Sequence, residues 1–227
     1  EAGAARECRV AVVGVGGGVI CMAIRRLWPE TVCDAVELSK FVVEAATKHF
    51  HMEENDRMRI HVADGAEFVK SAGAGTYDLV VIDVAAHDAA DTEDSDDVEF
   101  PPTPFTSPEW LGALSKCLKP TGLACVNVMG HRKSVSIYTN KFSRAFASTY
   151  VMAIDPNYFF FGFNSPTALL PHSVEKRVQA VAGLQRLVRQ PMELVNRTYA
   201  LAADEMCLGW LPLEQFEEML RNERIVI

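Results

Sequence analysis

A chain of 227 residues with 49% apolar and 23% charged residues suits one α/β domain that buries a substantial core. It holds no apolar run near the roughly 18 residues of a membrane span, and Glu1 to Glu7 lack the apolar core of a signal peptide. The net charge of −8 argues against a nucleic-acid surface, so neither nucleic acid nor membrane is expected as a partner.

Small and β-branched residues from Val10 to Val13 predict a buried strand. It breaks at Gly14, Gly16, Gly17 and Gly18 and then turns helical in character. Glycines at such a turn allow positive φ and let backbone N–H groups approach a ligand at a helix N-terminus. Because this strand starts almost at residue 1, the sequence reads as a single domain, 1–227, cut from a longer protein. Val19 to Trp28 predicts a helix stopped by Pro29, and Thr31 to Glu37 a second strand ending in an acid. Ser39 is placed to cap a helix over Lys40 to Phe50, with Phe41, Val42, Ala45 and Ala46 on one face. Met58 to Val62 predicts a third strand closed by Asp64 and Gly65, followed by a short helix through Phe68 and Val69. The continuous apolar run from Tyr77 to Asp83 predicts a fourth strand buried on both faces.

Ala85 to Thr106 then interrupts the pattern. Seven acids (Asp88, Asp91, Glu93, Asp94, Asp96, Asp97 and Glu99) stand here without a base, and the rest of the chain is near neutral. Ser107 and Pro108 open a helix to about Leu118 that Pro120 ends, and Gly122 to Met129 predicts a fifth strand. A helix over Lys133 to Ser148 leads to a hairpin, Tyr150 to Ile154 and Tyr158 to Phe163, through Asp155, Pro156 and Asn157. Two more helices, Ser173 to Arg189 and Leu213 to Arg221, close the chain. Five βα units and a hairpin make an α/β, Rossmann-like three-layer sandwich: a seven-stranded, mainly parallel sheet with an antiparallel last strand.

The six cysteines form no CxxC pair and no histidine stands near them at ligand spacing, so no metal is expected. Several lie in apolar runs and read as reduced core thiols of a cytoplasmic protein. His49 and His51, two apart on a helix, point different ways and read as surface residues.

In such a sheet a ligand binds at the C-terminal ends of the central strands, where the strand order reverses. Four positions fall there: the glycine turn; Glu37 with Leu38, 19 residues beyond Gly18; Asp64 with Gly65 and Ala66; and Asp83. Glu37 suits a ribose hydroxyl or, alternatively, a helix cap; Asp64 alone suits an Asx turn, but with Gly65 and Ala66 it resembles the adenine-contacting loop of S-adenosylmethionine enzymes. A nicotinamide-dinucleotide site fits less well, because the sixth position of its G-x-G-x-x-G fingerprint is Val19 here.

The segments Val12 to Gly18 (VVGVGGG), Ala35 to Ser39 (AVELS), Asp56 to Val69 (DRMRIHVADGAEFV) and Tyr77 to Val84 (YDLVVIDV) resemble the spermidine-synthase-like branch of the class I S-adenosylmethionine-dependent methyltransferases. The resemblance runs from about Arg9 to the C-terminus. It implies S-adenosyl-L-methionine as cofactor, with S-adenosyl-L-homocysteine as product, held by Gly14, Gly16, Gly17, Gly18, Glu37, Leu38, Asp64, Gly65, Ala66 and Asp83. It further implies a protein substrate, an N-terminal amine or lysine of a translation elongation factor, and a homodimer.

The branch holds two chemistries, methyl transfer and aminopropyl transfer to polyamines. Polyamine synthases carry an Asp where Gly17 stands, a second acid where Ala86 stands, and a glutamine-bearing segment where Val126 to Met129 stand; only Asp83 is kept. These departures favour methyl transfer, with polyamine synthesis as the alternative and a non-catalytic partner domain with a vestigial pocket as a third reading. Asp83 either orients the acceptor amine as the catalytic residue or contacts the cofactor. The acidic segment reads as a solvated insertion, or as a lid that attracts a cationic tail. Pro101 to Phe105 is placed at the acceptor entrance.

Overall fold

The computed structural model describes residues 7–85, 98–154, 157–165 and 211–212. Strand β1 (Arg9–Val13) leads through the glycine turn into α1 (Val19–Leu27), followed by β2 (Val32–Glu37), α2 (Lys40–His49), β3 (Met58–Val62), α3 (Gly65–Ser71) and β4 (Tyr77–Ile82). After a short 3₁₀ turn at Thr103–Phe105 come α4 (Pro108–Cys117), β5 (Leu118–Val128), α5 (Arg132–Ser143), β6 (Ser148–Ile154), β7 (Asn157–Phe163) and β8 (Leu211–Pro212). The strands lie in the order β3-β2-β1-β4-β5-β7-β6-β8. The first five are parallel and β7 runs against β5 and β6, which is the predicted seven-stranded pattern. The two-residue β8 adds an edge on β6; it is too short to leave a periodic signal in sequence.

The sheet is covered on both faces because its strands alternate. Ala11 and Val13 of β1 face a layer built by Val69 of α3, Trp110, Leu111 and Leu114 of α4, and Tyr138 and Phe142 of α5. Val10 and Val12 face Cys21 and Ile24 of α1 and Ala46 of α2. Full burial of a side chain the size of Leu or Phe stabilises by roughly 1.5–3 kcal/mol, so the larger first layer carries most of the core. Trp110 is wholly buried and still satisfied, its indole N–H donating to the Ala66 carbonyl at 3.2 Å. Pro108 opens α4 beside Ser107, whose Oγ accepts from Trp110 N at 3.1 Å, as the sequence predicts.

Three expectations need correction. Pro120 does not end a helix; it lies inside β5. The β4–β5 register jumps from Tyr77↔Leu118 to Leu79↔Leu123, so the intervening residues bulge and Pro120 owes no ladder N–H. The helix expected to reach Ser148 stops at Ser143, because the chain turns to seat Phe146 against β7. A Cβ on Gly162 would come within 2.5 Å of that ring. Finally, β4 is not buried on both faces. Tyr77, Val80 and Ile82 are buried but Leu79 and Val81 only half, since α1 and α2 lie against β2 and β3 on that side.

Of the cysteines, Cys21, Cys33 and Cys117 are buried free thiols, Cys125 is half-buried and Cys8 is exposed. His49 and His51 are exposed, as expected. Among the described residues no helix is long and apolar enough to cross a membrane, and no group of three or more His, Cys, Asp or Glu is placed to hold a metal. Most of the acidic segment, the Asp155-Pro156 turn, Cys207 and both C-terminal helices lie outside the described residues.

At the N-terminal end of the sheet, Asp34 on β2 is 1% exposed. Its carboxylate accepts from Arg9 Nε at 3.0 Å and Tyr77 Oη at 3.1 Å and pairs with His61 Nε2 at 2.9 Å. Burial alone would push this carboxyl up. The His61, Arg9 and Tyr77 bonds outweigh it and hold Asp34 below the ordinary carboxylate range. Beside it, Asp78 accepts from Arg9 N at 2.8 Å and pairs with Lys119, so charged groups tie strands β1 to β5 together.

Candidate functional site

Strand β1 is followed in the sheet by β2 and β3 on one side and by β4 on the other. That reversal opens a crevice at the C-terminal ends of β1 and β4. The glycine turn sits at its mouth, built by φ angles of +86° at Gly14, +53° at Gly16 and +78° at Gly18, which only glycine adopts without strain. Gly14 is also required by space. A Cβ there would lie 2.1 Å from the Asp83 carbonyl oxygen, while Asp83 N donates to the Val13 carbonyl at 2.9 Å. The turn and the end of β4 are therefore one unit. Gly16 is exposed and a Cβ on it would meet nothing within 4 Å, leaving an open cradle at the turn's outer side.

Gly17 is different. Its φ lies outside the left-handed region, and a Cβ would stand 3.4 Å from the Phe50 ring, an ordinary contact. The backbone does not demand a glycine at this position.

Glu37 ends β2 and links two loops. Its Oε2 accepts from Val15 N at 3.0 Å and its Oε1 from Ser39 N at 3.0 Å. The helix-cap reading is thus realised, through Glu37 and not through the Ser39 side chain, which makes no cap bond. An ionised carboxylate has about four lone-pair sites, so each oxygen can still accept from a hydroxyl. Leu38, next to it, is 68% exposed, and Val62 at the end of β3 is 55% exposed. Those apolar side chains beside a carboxylate suit the face of a base and the edge of a ribose.

Asp64 is an N-cap: its Oδ1 accepts from Ala66 N at 2.8 Å and Glu67 N at 3.0 Å. Its Oδ2 has no hydrogen bond among the described residues and remains available to an amino group. Gly65 and Ala66 are buried. A Cβ on Gly65 would fall 2.2 Å from Val13 Cγ1, and the Ala66 carbonyl accepts from Trp110. Pro101 and Phe105, expected at a site entrance, are buried. Phe105 stacks edge-on against Trp110 at 5.0 Å, in the core beneath α3. The strand-like pairing of Phe100 with Met129 carries this segment across the end of β5.

Asp83 is exposed, and its Oδ1 accepts from Asn127 Nδ2 on β5 at 2.9 Å. The Cys125 thiol on the same strand is pushed up to about 12, by burial and then by the Asp83 charge. Asn127 is the residue that sequence reasoning missed as a partner. Its segment was read only as a departure from the polyamine synthases, although its place one residue before the end of β5 set it beside the tip of β4.

The fold is the one shared by class I methyltransferases and spermidine synthases. The chain belongs to the spermine/spermidine synthase domain family, whose model matches residues 4–159. It is 32% identical to human "eEF1A lysine and N-terminal methyltransferase" over 123 residues, 52% of this chain and 17% of that protein. It is 25% identical to the "Polyamine aminopropyltransferase" of Vibrio vulnificus over 127 residues, 55% of this chain and 39% of that protein. The chain thus spans well under half the length of either curated relative. The crystal structure of human methyltransferase-like protein 13 in complex with SAH superposes with a TM-score of 0.70 at 25% identity, covering 82% of this chain and 84% of that one.

Proposed function

We propose that this domain binds S-adenosyl-L-methionine in the β1–β4 crevice and methylates a protein amine. The observation that carries the reading is Gly17. Neither its φ nor the space at its Cβ requires glycine, so the lack of the carboxylate that holds the aminopropyl amine in polyamine synthases is not imposed by the backbone, and it supports methyl transfer. The similarity of the chain to methyltransferases, including a structure in complex with SAH, supports the same conclusion.

When bound, the cofactor supplies a methyl group already activated by its sulfonium charge, and the protein's task is to place the reactants. Glu37 would hold the ribose hydroxyls, Leu38 the adenine face, the Asp64 Oδ2 the adenine amino group, and the turn at Gly16 the methionine end. Asp83 accepts an N–H of the incoming amine and orients its lone pair, and the proton leaves to solvent after transfer. An α-amine, near 7.7–8.0, is partly neutral at pH 7, whereas a lysine near 10.4 must first lose its proton. An N-terminal acceptor therefore asks least of this site, where Asp83 stands at the tip of β4. A translation elongation factor, taken from the relative's name, is the substrate we propose. The unpaired thiols suit a reducing compartment, the cytoplasm.

The family match and the retained Asp83 favour a second reading, aminopropyl transfer. Incubation with methyl-labelled S-adenosylmethionine and an elongation factor should label the protein. Putrescine-dependent release of methylthioadenosine from the decarboxylated cofactor, without labelling, would establish the second reading instead.

A further inference from the structure

We propose that Asn127 is a positioning residue, kept at the end of β5 to hold the Asp83 carboxylate in place for the acceptor. This rests on the methyl-transfer reading above. An ionised carboxylate only accepts, so the Asn127 carboxamide must turn its NH₂ toward Asp83. That leaves its own Oδ1 buried with no hydrogen-bond partner among the described residues. A buried acceptor left unpaired costs at least as much as an exposed hydrogen bond returns. On stability alone a leucine of nearly the same shape serves better at this half-buried position, since it carries no acceptor to leave unpaired. An aspartate would set a second negative charge against the first. The carboxamide fits this strand position and donates to Asp83.

The gain lies in Asp83. Its main chain is already fixed by the bond to Val13 and the contact with Gly14. With Oδ1 held by Asn127, the side chain is fixed as well, and Oδ2, which has no hydrogen bond among the described residues, is the oxygen presented to an amine. Asn127 touches neither reactant in this scheme and acts through Asp83.

The test compares wild type, Asn127→Leu, Asn127→Asp, Asp83→Ala and the Asn127→Leu/Asp83→Ala double variant. For each, the melting temperature, S-adenosylmethionine affinity by calorimetry, kcat and acceptor KM are measured. Crystal structures of wild type and Asn127→Leu are solved as well. Asn127→Leu should melt at the wild-type temperature or above it and bind the cofactor as tightly. Its kcat should fall about ten- to a hundredfold, with no further fall in the Asp83→Ala background. Asn127→Asp should lose as much turnover despite its matching shape. The Asp83 carboxylate should leave its wild-type position in the Asn127→Leu crystal. Unchanged kcat, additive losses, or a carboxylate that stays in place would overturn the proposal. A wild type that binds the cofactor but transfers no methyl group would overturn the functional reading, and the Asp83 position in the two crystals would still decide the role of Asn127.

Discussion

The two ends of this sheet use acidic residues in opposite ways. At the N-terminal end, Asp34 and Asp78 are matched with Arg9, His61 and Lys119 and tie five strands together. At the C-terminal end, Glu37, Asp64 and Asp83 form no ion pair among the described residues. Their partners are neutral donors: the amides of Val15, Ser39, Ala66 and Glu67 and the carboxamide of Asn127. Pairing with cations uses up a carboxylate, whereas holding it with one or two neutral N–H groups fixes its position and leaves lone pairs for a ligand. The first end stabilises the sheet and the second is left open for chemistry.

That contrast can be broken most forcefully where the turn meets β4. Gly14→Ala puts a Cβ into the Asp83 carbonyl at a φ of +86°. It should cost about 2–4 kcal/mol of stability, combining left-handed strain with overpacking, measurable by urea denaturation. An unperturbed midpoint would mean that turn and strand are not one unit. Asp34→Asn should cost about 2–3 kcal/mol, since it leaves Arg9 without its buried counter-charge, yet leave cofactor affinity unchanged. The Asp34 carboxyl is held below its ordinary value of 3.8 in the fold. Its contribution is therefore complete above that value and is lost as pH falls through the lower, folded one. Acid unfolding of the wild type should accordingly be steepest below about pH 4, and flatter in the variant.

Changes at the open end should act on binding. Glu37→Gln keeps one acceptor oxygen for the loop amides but removes the charge. It should weaken S-adenosylmethionine by about 1–3 kcal/mol with little change in melting temperature, whereas a large loss of stability with intact affinity would assign Glu37 to loop structure alone. Gly17→Asp should fold normally, because its φ is not left-handed and a Cβ there makes only ordinary contact with Phe50. The added carboxylate should narrow the preference for the intact cofactor over its decarboxylated form, the smallest and most specific of these effects.

Most of the fold was legible because its signals are local and strong. Val10 to Val13, Met58 to Val62 and the Ser107-Pro108 start all form where β-branched runs and capping chemistry place them. What escaped depended on contacts between distant residues. Pro120 reads as a helix stop until β4 is seen to need a bulge beside it, and Ser148 reads as helix until Phe146 is seated under Gly162. At the site, the acids and glycines were readable from their places at strand ends. Pairing across strands was not: Asn127 meets Asp83 although 44 residues separate them. Gly65, which shares a motif with Asp64, has no space for a Cβ beside Val13, a demand its sequence does not announce.

The central claim is that the open end is built for the intact cofactor. Titration calorimetry of the wild-type domain with S-adenosylmethionine and with its decarboxylated form tests it most directly. Tighter binding of the intact form is predicted, because Gly17 offers no carboxylate to the aminopropyl amine. Tighter binding of the decarboxylated form would contradict the account and assign the site to polyamine chemistry.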